Sequence, residues 1–343
     1  MANRPTISDV ARGAGVSVAT VDRVLNGRLK VREETARKVL AAAQDIGYHG
    51  AGLIAQRIAP RVERMRFGFV LHKEKQAFYQ ELSQEIEKAA RGFHDIHLEP
   101  VIRFSVSQAP ADFIKEMRAI AGDVDALAAS AITHHSVTDE VVDLQARGIP
   151  VFALLNDFAQ GVRQAYIGLN NVKVGRIAGW MVGMAARRSG KLAVFVGGHR
   201  WHGHELRETG FRSYFREHAP EFTVLDTLVN LETRQLTYEA TLDLLARHPD
   251  LRGIYVAGGG MEGAIAALRE VRGPGDVALV VNEVTPESRA ALSDGYACLA
   301  IGTPLQDLCR DVMGMMAETV RSGMSELAGQ YFLQPRLYLP ESV

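Results

Sequence analysis

Cysteine is nearly absent: the chain has 343 residues and two cysteines, Cys298 and Cys309. No paired-cysteine metal motif can be built from them, and both lie in apolar segments where a thiol reads as a small core side chain. Long hydrophobic runs are missing too. No stretch approaches the ~18 uncharged apolar residues of a membrane-crossing helix. The amino terminus lacks a basic-then-apolar signal pattern, so a reduced, cytoplasmic setting without membrane contact is expected. There is no Gly-x-Ser-x-Gly elbow, and no Ser/His/Asp set follows from spacing, which leaves little support for an enzyme.

What is present is an ordinary soluble composition, 47% hydrophobic and 23% charged. The length exceeds what one compact core holds, so two or three folding units are expected. The net charge of −1 hides an asymmetry. Residues 1–66 carry 12 Lys/Arg against 6 Asp/Glu, and the rest carry 27 against 34. A basic head on an acidic body points to a polyanion as the head's partner.

In the head, Thr6 and Asp9 form a capping-box pattern, with Asp in place of the usual Glu. Ile7, Val10, Ala11 and Ala14 make one apolar stripe, and Gly15 can supply a positive φ that ends the helix. Ser17 is a good N-cap for a second helix. Val21, Val24 and Leu25 face inward there, and Val18, Ala19, Asp22, Arg23 and Asn26 face outward. Gly27 stops it. A third stripe runs through Ala36, Val39, Leu40 and Ala43. Helix, glycine turn, helix and third helix is the helix-turn-helix arrangement, whose second helix enters the DNA major groove.

Here the sequence resembles the LacI/GalR transcriptional regulators. The carrying residues are Thr6-Ile7-Ser8-Asp9-Val10-Ala11, Gly15-Val16-Ser17, Thr20-Val21, Arg23-Val24-Leu25-Asn26, Glu34-Thr35 and Gly47-Tyr48. The resemblance implies base reading by Val18, Ala19 and Arg23, with Arg23 able to bond a guanine edge bidentately. It implies phosphate contacts from Thr6, Ser17, Thr20 and Asn26; capping is the compatible alternative for Thr6 and Ser17. Asp22 stands where the family commonly has serine, and Arg32 replaces the usual serine cap of the third helix. Asp22 repels phosphate unless it orients Arg23 or accepts from a cytosine amino group.

The next stretch, "HGAGLIAQRIAPRVERMR", resembles the family's hinge helix, which pairs between two subunits on an operator. By that resemblance Ile58 is the minor-groove wedge, and Leu53 and Ile54 make the hinge–hinge contact. A plain apolar linker is the alternative. Gly50 and Gly52 are expected to leave the free hinge disordered until DNA is bound.

From residue 65 short apolar runs alternate with amphipathic ones, the mark of βα units and parallel sheets. Strands are expected at 65–72, 97–104, 126–130, 151–156, 165–170, 191–197, 253–258, 278–283 and 297–302. Helices are expected at 76–93, 172–187, 204–217 and 233–247 among others. The resemblance extends over this part with looser motifs, "AFYQELSQEIEKAARGF", "GIPVFALLNDF", "YIGLNNVKVGRIAG" and "RETGFRSYF". The implied fold is α/β: a two-lobed, type I periplasmic-binding-protein-like body behind an all-α helix-turn-helix head. The domain expectation is a head at 1–49, a hinge at 50–64 and a body at 65–343. The first lobe takes 65–164 and 287–323, the second 165–286 and 324–343, with crossings near 163–166, 284–288 and 322–326.

A ligand cleft is expected between the lobes, at the carboxyl ends of the strands. Its candidates are Phe78 and Tyr79, Asn156 and Asp157, Arg207, Glu283 and His134. Core packing competes for the aromatic pair, and a surface charge for Arg207. Where the family often has Asn-Asp after "GIYVA" this chain has Gly258-Gly259-Gly260, and a later polar position is Gly302. Histidines 134, 135, 199, 202 and 204 are the compensating candidates, and an unusual, bulky or acidic ligand follows.

Two sharper motifs rank lower. Gly258-x-Gly260-x-x-Gly263 with Glu283 matches the dinucleotide fingerprint in spacing, but deep in a βα series. It supports an α/β enzyme or cofactor sensor as the second hypothesis. "HRWHGHE" gathers His199, His202, His204 and Glu205 without zinc-site spacing. The resemblance implies a ligand-responsive transcriptional repressor of carbohydrate or related metabolism. Its heads bind a near-palindromic operator as a homodimer or tetramer, the copies pairing through body helices such as 76–93 and 304–321. No cofactor and no metal are called for.

Overall fold

The computed structural model describes residues 4–26, 31–58, 63–325 and 327–343, the side chain of Ile58 excepted. The chain divides into two compact units, Met1–Glu63 and Arg64–Val343.

The smaller unit is four helices: α1 (Ile7–Ala14), α2 (Val18–Asn26), α3 (Glu33–Asp45) and α4 (Ala51–Ile58). The apolar stripes read from sequence meet in one small core, with Val10, Val21, Val39 and Ala43 at its centre. Local chemistry fixes the ends. The Thr6 backbone N–H and hydroxyl both donate to Asp9 Oδ2, at 2.9 and 2.7 Å. Gly15 closes α1 at φ 63°, a conformation that carries little penalty only without a Cβ. Ser17 Oγ accepts the Thr20 N–H at 3.2 Å and so caps α2.

Within the stretch expected to be a disordered hinge, Ala51–Ile58 is helical here. The reason is packing: α4 lies against α2 and α3, and Ile54 is fully buried in the head core. The Arg57 guanidinium also donates to the Leu25 carbonyl near the end of α2. Gly50 makes the approach possible, since a Cβ there would stand 2.7 Å from the Tyr48 ring.

The larger unit runs β1 (Glu63–His72), α5 (Ala77–Arg91), β2 (Ile96–Ser105), α6 (Pro110–Ala121), β3 (Ala126–Ala129), α7 (His135–Ala146), β4 (Val151–Leu154), β5 (Ala165–Leu169) and α8 (Asn171–Ala185). It continues β6 (Lys191–Val196), α9 (His202–His218), β7 (Thr223–Val224), β8 (Leu228–Val229), α10 (Arg234–Arg247), β9 (Leu251–Val256), α11 (Met261–Val271) and β10 (Ala278–Asn282). It ends with α12 (Pro286–Ser293), β11 (Leu299–Gly302), α13 (Leu305–Ser322), β12 (Gly329–Leu333) and β13 (Arg336–Tyr338).

Two sheets result, ordered β12-β5-β4-β3-β1-β2 and β13-β11-β10-β9-β6-β7, with β8 also on β6. The β1–β3, β3–β4, β4–β5 and β5–β12 pairs are parallel; β13 joins its sheet antiparallel. Central strands are buried throughout and mostly apolar, as sheets covered on both faces require.

Strand pairing moves the expected lobe boundaries. β5 pairs with β4 and β12, so the chain leaves the first sheet only after Leu169, not at 163–166. α12 packs on α11 and β11, and β11 pairs with β10, so the return falls at 303–304 rather than 284–288. β12 joins the first sheet and β13 the second, which puts the last crossing at 334–335 rather than 322–326. Short closing strands with exposed side chains gave no alternating pattern to read.

Candidate functional sites

On the head, α2 turns Val21 and Val24 inward and leaves the opposite face open. Val18 is 45% exposed, and Ala19 and Arg23 are exposed beside it. Asp22 does not orient Arg23. Its Oδ1 accepts from Asn26 Nδ2 at 2.7 Å, which leaves the Arg23 guanidinium without a side-chain partner among the described residues. Ser17 and Thr20 lie hydroxyl to hydroxyl at 2.9 Å, at the start of the same helix. The face therefore offers an apolar patch, one free guanidinium and hydroxyls around it. A duplex groove can use that combination through bases and phosphates. Leu53 is 56% exposed on α4, whereas Ile54, expected at a hinge–hinge contact, is consumed by the head core. The side chain of Ile58, the expected wedge, lies outside the described residues.

In the larger unit a cavity of about 430 Å³ opens between the two sheets. Its walls come from the carboxyl ends of strands and the helix starts that follow. Phe78, Tyr79, Ser130 and Asn156 line it from the first lobe; Trp201, His204, Arg207, Glu232, Asn282 and Glu283 line it from the second. Of the six non-glycine residues with left-handed φ among the described residues, Leu155, Glu232 and Glu283 line this cavity. Backbone strain concentrated at a pocket marks a functional site.

α9 carries Arg207, and close helix packing places it. A Cβ on Gly175 of α8 would stand 1.9 Å from the Arg207 carbonyl oxygen. Arg207 Nε donates to Asn171 Oδ1 at 2.7 Å and Nη1 to the Ala257 carbonyl at 2.7 Å. Phe78 and Tyr79 meet edge to face at 5.2 Å, Phe78 half-buried and Tyr79 inside the core. Glu283 lines the cavity but turns both oxygens to Thr303, Oε2 accepting its N–H at 2.8 Å and Oε1 its hydroxyl at 2.7 Å. Burial raises the Glu283 carboxyl above its ordinary range. Asn156 lines the cavity with both amide ends engaged. Nδ2 donates to the Ala131 carbonyl at 2.6 Å, and Oδ1 accepts the Gly203 N–H across the lobes at 2.9 Å.

Two expected ligand residues stand elsewhere. Asp157 is buried in an ion pair with Arg163, with contacts of 2.5 and 2.9 Å, and also accepts from Gln330 Nε2 at 2.7 Å. Because Arg163 Nη1 donates to the Gly329 carbonyl at 2.9 Å, the pair ties the β4–β5 connection to β12. His134 caps α7: its Nδ1 accepts the Ser136 N–H, and it is not among the residues lining the cavity.

Several residues lining the cavity or bonded to its lining carried no signal in sequence. Lys73 reaches across the lobes to the Leu231 and Glu232 carbonyls at 3.2 and 3.3 Å and pairs with Glu232 Oε2 at 3.1 Å. Burial raises the Glu232 carboxyl, but His204, Lys73 and the Gly259 N–H outweigh it and hold the pKa below the usual value. Trp201 leaves the second lobe and is buried in a core cluster of the first, 5.6 Å from the His72 ring, with Nε1 donating to Gln108 Oε1 at 3.2 Å. The lobes are thus joined at two neighbouring points beside the cavity, since the Trp201 ring also lies 6.1 Å from that of His204. Burial lowers both His204 and His72 to about 4, so both rings are neutral at pH 7.

The lower-ranked motifs have structural explanations. At Gly263 a Cβ would be 2.1 Å from the Arg234 carbonyl oxygen, and at Gly260 2.4 Å from Thr237 Oγ1. These glycines let α10 and α11 pack closely. The Gly259 N–H is already bonded to Glu232 Oε1 at 3.2 Å, where a phosphate would need it. Within "HRWHGHE", His204 points to the cavity while His202 sits 3.7 Å from Glu205. No group of three metal-capable side chains occurs among the described residues. Nor is any helix among them long and apolar enough to cross a membrane.

Comparison with known proteins agrees with both halves. A model of the periplasmic binding protein domain matches residues 67–323, and a model of bacterial regulatory proteins of the lacI family matches residues 6–50. The HTH-type transcriptional regulator GalS of Salmonella typhimurium is 28% identical over 270 residues, 77% of this chain and 75% of that protein. Catabolite control protein A of Priestia megaterium is 39% identical over 85 residues, 25% of each. Among solved structures, an ABC transporter solute binding protein from Agrobacterium vitis, bound with α-D-tagatopyranose, has a TM-score of 0.73 at 19% identity, covering 81% of this chain and 95% of that one. One from Actinobacillus succinogenes with bound D-allose has a TM-score of 0.74 at 15% identity, covering 81% and 98%. At such identities the likeness is one of fold. With its helix-turn-helix head and periplasmic-binding-protein body, the chain belongs to the lacI family of bacterial transcriptional regulators.

Proposed function

We propose that this regulator is a cytoplasmic repressor whose affinity for a near-palindromic operator is set by a small metabolite bound in the cleft. The observation that carries the reading is the coexistence in one chain of an α2 face without partners among the described residues and a cleft between two lobes lined by both aromatic and charged side chains. In this reading Val18, Ala19 and Arg23 contact bases, while Thr6, Ser17, Thr20 and Asn26 hold phosphates. Leu53 and Ile58 meet the minor groove or a second hinge. Phe78, Tyr79, Arg207 and Glu283 frame the effector. Two copies act together, since a near-palindrome presents two equivalent half-sites. No catalytic step is assigned to any residue.

Control follows from differential binding. An effector that prefers one arrangement of the lobes shifts the population toward it, and DNA affinity changes by the corresponding coupling free energy. The test is selection from a randomised duplex pool, followed by titration of the enriched duplex at several salt concentrations. A near-palindromic consensus with a steep salt dependence is expected. Enrichment of no sequence would sink the proposal.

A further inference from the structure

The inner end of the cleft has an excess of hydrogen-bond donors. Arg207 is 9% exposed, makes no ion pair among the described residues, and spends Nε and Nη1 on uncharged acceptors. Its Nη2 has no partner there. Asn282 stands beside it: the β9–β10 register sets Val281 against Val256, so Asn282 adjoins Ala257, whose carbonyl holds Arg207. Asn282 Oδ1 accepts from the Tyr255 hydroxyl at 2.8 Å, which fixes the amide and turns Nδ2 away from that bond. That nitrogen is buried without a partner on a residue that is 2% exposed and lines the cavity. His204 adds a third donor. Its Nδ1 accepts the Gly197 N–H at 3.1 Å, which assigns the ring proton to Nε2, 3.7 Å from Glu232 Oε1 and too far for a full bond.

The carboxylate and amide acceptors beside these donors, by contrast, are engaged, and the Ser130 hydroxyl, which can donate or accept, is the unpartnered oxygen on the first-lobe wall. Glu283 is held twice by Thr303, Glu232 is held by Lys73 and the Gly259 N–H, and Asn156 Oδ1 is held by Gly203. Gly258, Gly259 and Gly260 supply no side chain. Among the remaining lining charges Lys75 and Arg234 equal Glu262 and Glu287 in number, so discrimination falls to the buried groups. A neutral hydroxyl donates as well as accepts and needs both kinds of partner. A carboxylate only accepts, and a guanidinium edge beside an amide NH₂ suits its two oxygens.

We propose that the effector is a polyhydroxy carboxylic acid, an aldonic or uronic acid, with its carboxylate on Arg207 Nη2 and Asn282 Nδ2. This rests on reading the cleft as the effector site. The test is isothermal titration of the full chain with matched pairs: D-gluconate against D-glucitol, D-glucuronate against D-glucose, and D-galacturonate against D-galactose. At least one acid is expected to bind ten times more tightly than its neutral partner or better. Asn282→Asp, nearly isosteric but anionic, is expected to weaken that acid at least tenfold, with the unliganded melting temperature reporting that the fold is intact. Arg207→Lys is expected to weaken it as well. Neutral partners binding as tightly as the acids, or silence from all three acids, overturns the assignment. If neutral binding responds to Arg207→Lys, only the acid class fails. If a ligand binds and neither substitution changes its affinity, the cleft reading fails too.

Discussion

The head and the body solve opposite problems. The head folds around a few small side chains, and its function lies in what it leaves uncovered: Val18, Ala19 and Arg23 have nothing to do inside the fold. The body encloses its function. Glu283, Asn156 and most of Arg207 are bonded to other parts of the protein, and the buried atoms left over are the ones a ligand can use. A surface site is therefore read from free residues, an enclosed one from unfinished hydrogen bonds.

The largest expected effect separates structure from recognition within the body. Asp157→Ala leaves Arg163 charged and buried, and is expected to cost about 3–5 kcal/mol of body stability. Thermal unfolding checks this, and the ligand preference of the folded fraction is expected to stay as in the parent.

Acid comes next. His72 and His204 are held near 4 by burial, against about 6.5 when unfolded, so the unfolded chain binds the extra protons. Their contribution is complete above pH 6.5 and is lost as pH falls from there toward 4, a few kcal/mol in all. Urea unfolding between pH 7.5 and 4.5 is expected to show the body losing stability in that window. His72→Phe is expected to flatten the slope. An unchanged slope would mean that His72 is not the buried neutral ring described here.

On the head, Arg23→Ala is expected to weaken operator binding by about 1–3 kcal/mol and relax selectivity at one base pair of each half-site. Competition titration against single-base variants measures it, and body stability is expected not to move. The smallest effect is Gly15→Ala. A Cβ at φ 63° costs about 1 kcal/mol, felt only in the head's unfolding.

Sequence made the head legible almost completely, because short amphipathic helices depend on local signals: the Thr6–Asp9 cap, Gly15 and the Ser17 cap all do what their chemistry implies. It misread the hinge, because Ile54 looks the same as a partner contact or as a core residue, and only packing against α2 and α3 decides. In the body the alternation of strands and helices was plain. The crossings were not, since sheet membership of β5, β11 and β12 depends on pairing with distant strands. Among cleft residues, Arg207 and the aromatic pair were found through local motifs. Asp157 was misassigned because its partners Arg163 and Gln330 could not be paired with it from sequence. Trp201 and Lys73 went unread because each acts on the lobe opposite its own.

The most direct measurement is fluorescence anisotropy of the selected operator duplex titrated with the full chain, with and without a saturating compound that raises the body's melting temperature. The account predicts that the compound changes duplex affinity at least tenfold. A compound that stabilises the body and leaves that affinity unchanged would contradict it.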